Sequence, residues 1–348
     1  MLYVTTKNGL DAYTSHRALT EQFAPDGGNY IPFRLNSYTR EELECLLNES
    51  YCHIVAKVLN VFFSCNLTER DVELCVGQTP GTVHSMNHRI HIVELWNNPR
   101  WSVDFAIQSL GERMGVAAGS QAGYFAGIAV QTALLFGAFG QLYKNGTDIF
   151  ARKMEVAAAS CDFAEIMAVL YTREMGLPIG KIICGSNENS GFWDLLNHGQ
   201  IRTGTAAVNT DVSLCDRVIP RHLPDTLFRV LGRHQAISFD GCVSQRGSYT
   251  LSEDDAERLT DVFFSAVVGG KRMNGLIASV YSTNRYLLDP YAAIAYGALQ
   301  DYRSRGGEIG DAIVLSRWCA EDHRDTVAKA LGVSPDRIAS HSAWGGED

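Results

Sequence analysis

From Gly123 to Leu142 the chain runs without a single charged side chain. A stretch of that kind belongs either in a bilayer or in the middle of a large folded core. Gln131, Gln141 and several Gly and Ala dilute its hydropathy, and no cluster of basic anchors flanks it. The run therefore predicts a buried helix, which in turn demands enough apolar surface elsewhere to surround it. The 348 residues, 46% hydrophobic and 20% charged, supply that surface and fit one large or two medium domains.

Thirty basic against 39 acidic residues leave a net charge of −9, with no Lys/Arg run longer than a pair. Such a surface repels a phosphate backbone, so no nucleic-acid partner is expected, and no membrane partner either. Nine cysteines, an odd number, contain no Cys-x-x-Cys pair. That pattern suits reduced, mostly buried thiols in a cytoplasmic protein, not a disulfide frame or a zinc site. The N-terminus has no apolar signal core, and three Asn-x-Ser/Thr sequons (Asn48, Asn66, Asn145) read as chance.

Thr39-Arg40-Glu41-Glu42 has capping-box spacing, and the apolar residues from Leu43 to Phe62 recur at helical intervals, predicting one long helix over 41–63. Ile90 to Trp96 alternates like a short strand, and 110–142 is mostly helical. Glu155–Ala159 reads as a buried strand, Asp162–Met175 as a helix stopped by Gly176, and Lys181–Gly185 as a second strand. Strand, helix, strand in that order argues for a parallel sheet in an α/β domain. The segment 199–224 is a polar loop. A capped helix follows Ser252, and the last third adds a helix at 290–303, a strand at 312–316 and a helix at 321–331.

Ala24-Pro25-Asp26-Gly27-Gly28-Asn29-Tyr30-Ile31-Pro32 resembles the "APDGGLYVP" opening of threonine synthases. Gly176–Lys181 with Asn187-Glu188-Asn189 resembles the family's "GLPIG…NEN", and Tyr286–Ala293 its "YLLDPHTA". The resemblance implies the fold-type II architecture of pyridoxal phosphate (PLP) enzymes. It also implies a large domain kept nearly whole and a small cofactor-facing domain largely deleted. The division expected is a threonine synthase-like N-terminal region over 1–90 and an α/β core over 91–348, with the deletion scar near 110–124.

Four places where the family holds its cofactor are altered. Glu94–Phe105 stands where the family reads "ELFHGPTLAFKDF", and no lysine occurs between Lys57 and Lys144. PLP chemistry needs a lysine amine for its Schiff base. Ser160-Cys161-Asp162-Phe163-Ala164-Glu165 replaces the "TGNFGN" phosphate cradle, losing both glycines and adding two carboxylates. At roughly 4 Å and an effective dielectric near 20, each like charge would cost a phosphate several kcal/mol. The subdomain with the "SGDTG" loop is missing between Met114 and Gly123. Arg317 stands where the family's "LSTAHP" has its Thr, and Tyr291 replaces the His of "DPHTA". No cofactor is expected, and no PLP-dependent threonine synthase activity.

If the scaffold is kept, the substituted positions converge. Asp104, Cys161, Asp162 and Glu165 are then the acid–base or nucleophilic candidates, and Arg100, Trp101, Arg317, Trp318 and Cys319 the ligand-binding ones. Two readings stay open: a remodelled site for a small anionic or amino-acid-like ligand, or polar cover over a face exposed by the deletion. The function expected is a pseudoenzyme that binds a small ligand or a partner protein. The alternatives are a PLP-independent lyase or transferase, or an enzyme completed by a separate partner. Loss of the subdomain is expected to bare Trp96, Trp101, Phe105, Tyr124 and Phe125, inviting a homo-oligomer or a partner protein. His84, His88, His91 and Glu94 lie close in sequence but splay along a strand, so no metal is expected. Asp322-His323 reads as a helix cap, and Asn187-Glu188-Asn189 as a loop tie.

Overall fold

The structure is a computed structural model that describes residues 1–7, 11–77, 83–86, 89–96, 102–204 and 206–338. Its centre is a six-stranded sheet of β4 (Val83–Met86), β5 (Ile90–Glu94), β6 (Met154–Ala159), β7 (Ile179–Ser186), β10 (Phe263–Val267) and β11 (Ala312–Ser316). The spatial order is β10-β7-β6-β11-β5-β4, every pair parallel except the antiparallel edge pair β4–β5. The strand sequences explain the position. Every residue of β6 and β11 is buried, as strands covered on both faces must be. Alternate residues feed two cores: Val156, Ala158, Ile313 and Leu315 pack on one side, Ala157, Ala159, Ala312 and Val314 on the other.

Helices fill both sides. One core holds α2 (Arg40–Asn48), α3 (Tyr51–Phe63), α6 (Tyr124–Lys144) and α7 (Ala164–Glu174). The other holds α12 (Gly270–Asn284), α13 (Pro290–Ser304) and α14 (Arg324–Leu331). Residues 2–32 add a small antiparallel sheet, β2 (Tyr13–Thr14), β1 (Leu2–Thr5) and β3 (Tyr30–Pro32), whose Tyr3 and Tyr30 join the first core.

The expected single helix over 41–63 is two helices. Thr39 and Glu42 form the capping box of α2, but Glu49 turns extended and the Ser50 hydroxyl accepts from the His53 amide to start α3. A local cap overrides the continuing apolar period. The apolar run of 123–142 is α6, long and apolar enough to cross a membrane but buried over 89% of its most apolar window. Close packing explains its glycines: a Cβ on Gly137 would lie 2.3 Å from the Tyr51 ring, and one on Gly140 2.6 Å from Ile54 Cδ1. The predicted β6–α7–β7 unit and the Ser252-capped α11 (Glu253–Val262) are present.

Candidate functional site

Open parallel sheets present their chemistry at the carboxyl ends of the strands, and there the substituted positions meet. Arg317 follows β11, Asp162 follows β6, Glu165 lies in the first turn of α7, and Asp104 in the first turn of α5 (Val103–Met114). The Arg317 Nη2 donates to Asp104 Oδ1 at 2.6 Å, and Nη1 is 3.8 Å from Glu165 Oε1. The guanidinium carbon lies 4.7 Å from the centre of the Trp318 ring. Arg317 is only 14% exposed, whereas Asp104 is 66% exposed, so this cluster opens to solvent on the Asp104 side. Among the described residues the buried Arg317 Nε has no hydrogen-bond partner.

The carboxyls around this guanidinium titrate apart. Burial pushes Glu165 up to about 8; Arg317 opposes the rise, and Asp162, Asp289 and Asp104 add to it. Burial also raises Asp162, but His222, the Ala164 amide and two arginines outweigh it and hold Asp162 below the usual carboxylate range. Two neighbouring acids, one protonated and one ionised at neutral pH, therefore face one arginine.

Asp162 also decides what the start of α7 can bind. Its Oδ1 accepts from the Ala164 amide at 3.0 Å, so the chain's own carboxylate occupies the helix end where an anion would sit. Phe163 between them takes a left-handed φ of 70°, uncommon for a bulky residue, with its ring edge-on to Phe192. Besides burial, the groups that shift these acids are His222, the Ala164 amide, arginines and carboxylates, with no lysine among them. PLP does not fit here: its phosphate would meet Asp162 and Glu165, and among the described residues no lysine acts on these acids to offer its aldehyde an amine.

Among the ligand candidates, Trp318 has the Arg317 guanidinium over its ring and Tyr291 tilted at 38° against it. Cys319 is buried, with its thiol pushed up to about 11 by burial. Arg100 and Trp101 lie outside the described residues. The Cys161 thiol is buried 2.6 Å from Cys215 Sγ and raised well above its ordinary value by burial, so it is no thiolate at neutral pH. Of the four described aromatic residues expected to be bared, two are buried and Tyr124 is half-buried. Phe125 is buried against Tyr3, Phe62 and Phe63, and Trp96 is buried with its indole N–H on Ser316 Oγ at 3.3 Å. Phe105 stays 43% exposed. His84 pairs with Glu94, whereas His91 turns to Ser85 and Asp311; His88 is outside the described residues. Asp322 caps through the Cys319 amide, and Asn187 and Asn189 tie the 208–216 loop through Asp216 and Val208.

Two networks escaped the sequence reading. Asp289, starting α13, accepts from the Tyr291 and Ala292 amides and from Ser316 Oγ at 2.7 Å; burial raises it to about 6. His222 Nδ1 is 2.7 Å from Asp225 Oδ2, while Asp225 Oδ1 accepts from Asn29 at 2.6 Å, all three residues buried. The His222 amide donates to the Asp162 carbonyl, so this dyad joins the N-terminal motif to the cluster. Asn29 was in view as part of a motif; its partner 196 residues away was not.

A family described as "Threonine synthase N terminus" matches residues 2–79. The threonine synthase of Pseudomonas aeruginosa is 21% identical over 400 aligned positions, covering 87% of this chain and 85% of that protein. Because 87% of 348 residues is about 303, roughly a quarter of those positions face a gap in this chain. Human threonine synthase-like 1 is 26% identical over 166 residues, 45% of this chain, and the chain spans 22% of that relative's length. In structure, PLP-bound threonine synthase from Brucella melitensis superposes with a TM-score of 0.81 at 19% identity, covering 96% of this chain and 92% of that one. Yeast threonine synthase gives 0.83 at 16%, covering 98% and 91%. The matched N-terminal segment, the relatives and the shared fold make this chain a homologue of the threonine synthases, built on the α/β scaffold of the fold-type II PLP enzymes.

Proposed function

We propose that this chain is a cytoplasmic pseudoenzyme of the threonine synthase type, truncated in the small domain, which binds an amino-acid-like ligand at the Arg317 cluster without PLP. The observation that carries the reading is the Asp162 carboxylate on the Ala164 amide, with Arg317 already held by Asp104. A simple anion would have to displace Asp104 and then face two more acids. A zwitterion avoids that cost: its carboxylate takes Arg317 while its ammonium takes the released Asp104. The purified protein is expected to lack the absorbance of a PLP–lysine aldimine and to form no threonine from O-phosphohomoserine. A borohydride-trapped PLP–lysine adduct mapped to the cluster would overturn this. Thermal shift against amino acids, phosphorylated amino acids and simple carboxylates, with Arg317→Ala as control, tests the ligand class. Stabilisation by an amino acid that vanishes in the variant supports it, and stabilisation by none sinks it.

A second reading, PLP-independent catalysis, draws on the split between Glu165 and Asp162, which is how sites assign an acid and a base. Turnover of an amino-acid-like substrate that Glu165→Gln abolishes would favour it. We propose that a partner protein or second copy would bind at the exposed Phe105 and at Phe23, 47% exposed beside Tyr124. Sedimentation at high concentration checks that placement, and a monodisperse monomer counts against a second copy.

A further inference from the structure

We infer that Cys161 and Cys215 are a redox pair, two thiols placed to close into a disulfide that pins the 206–222 segment onto the end of the central sheet. Their sulfurs are 2.6 Å apart, and a disulfide needs about 2.05 Å, so closure asks for a sub-ångström shift. No other two of the nine cysteines meet among the described residues. Cys161 is fixed because it directly follows Ser160, which comes straight after β6 and whose amide and hydroxyl both donate to the Gly185 carbonyl of β7. Cys215 is held by its neighbour: Asp216 Oδ1 accepts from Asn187, Asn189 and Thr210, and Asp216 Oδ2 from the Thr210 amide. These bonds exist without any S–S bond, so the pair is preorganised in the reduced protein.

Both thiols are buried, which restricts the oxidant to something small, and a hydroperoxide fits. One sulfur attacks the peroxide O–O bond while its S–H proton passes to the departing hydroxide, giving a sulfenic acid and water. The second thiol then displaces the sulfenic hydroxyl, which leaves as a second water as the S–S bond forms. In sum, two thiols and hydrogen peroxide become one disulfide and two waters, the sulfurs oxidised and the peroxide reduced. The two cysteines are 54 residues apart, so the cross-link constrains a long loop of the unfolded chain and stabilises the fold. The inference does not depend on which ligand, if any, the Arg317 cluster takes.

The test is non-reducing peptide mapping of the full chain after hydrogen peroxide or dithiothreitol. The expected result is a Cys161–Cys215 linked peptide in the oxidised sample only, two hydrogens lighter than its parts, with a melting temperature several degrees above the reduced form. Cys215→Ser should abolish both changes, and Cys242→Ser, at a half-buried cysteine elsewhere, should leave them intact. Free alkylation of both cysteines after peroxide and denaturation, or sulfinic acids at these positions in place of the link, would overturn the inference. The parent protein's map decides alone should Cys215→Ser fail to fold.

Discussion

Helices α13 and α7 both begin at the carboxyl end of the central sheet, and both set an aspartate against their first amides. At α13 the account balances. Asp289 meets two backbone amides and a serine hydroxyl, Pro290 occupies the first turn without needing an acceptor, and the chain enters extended. At α7 the entry is left-handed at Phe163, Asp162 meets a single amide, and a second buried acid, Glu165, follows with one arginine to serve it and Asp104. Donors match acceptors at the first helix; at the second, three carboxyls crowd one guanidinium whose Nε stays unpaired among the described residues. A saturated cap is structure and nothing more. A surplus of carboxyls around one arginine is a place where a ligand can trade partners.

The sharpest way to break this contrast is to remove the saturated cap. Asp289→Ala strands two amides and leaves the Ser316 hydroxyl only the Trp318 carbonyl as acceptor, and should cost about 3 kcal/mol, a fall of roughly 4 °C in melting temperature at this chain length. A fall of less than a degree would mean that α13 is not held by its cap.

Arg317→Ala should cost less, about 2 kcal/mol, because Asp104 is largely in solvent and Glu165 escapes the loss by staying protonated. A double-mutant cycle with Asp104→Ala sharpens the assignment, with a coupling of about 0.5–1 kcal/mol expected from denaturant titrations. No coupling would reduce the Arg317–Asp104 bond to an incidental contact.

A further test of the contrast is a matter of pH. An unfolded glutamate releases its proton near pH 4.5, whereas folded Glu165 keeps it to about 8. Between those values the native state holds a proton that the unfolded state has lost, so stability falls as pH rises through the window and levels off above it. Asp289 adds the same sign only between 3.8 and about 6. Melting curves from pH 6 to 8 should therefore decline in the parent and flatten in Glu165→Gln. An equal slope in both would show that Glu165 titrates normally.

What the sequence made legible was whatever acts over short range. The Thr39–Glu42 capping box, the Ser252 cap and the β6–α7–β7 order stand as read, and the absence of lysine from 58–143 needs no coordinates. The break between α2 and α3 was also local, but Ser50 was hidden inside an apolar period that continued past it. The networks that define the site were not legible. Ser316 meets Trp96 from 220 positions away, and Asn29 meets Asp225 from 196. Nothing in either segment's own pattern marks such a partner; only the winding of the sheet brings them together. The convergence of Asp104, Glu165 and Arg317 was reached through resemblance to a known scaffold, and the direction of the Asp104 bond came only with the structure.

The burial of α6 has a consequence for the chain while it is being made. Its apolar surface is covered by α2 and α3, which precede it, and by α7, which ends at Glu174. At synthesis rates of about 5–20 residues per second, some seconds separate the end of α6 from the arrival of α7. During that interval a helix apolar enough to pass for a membrane segment is shielded on one side only. The newborn chain is then at its most aggregation-prone, and chaperone capture should concentrate on nascent chains that end between Lys144 and Glu174.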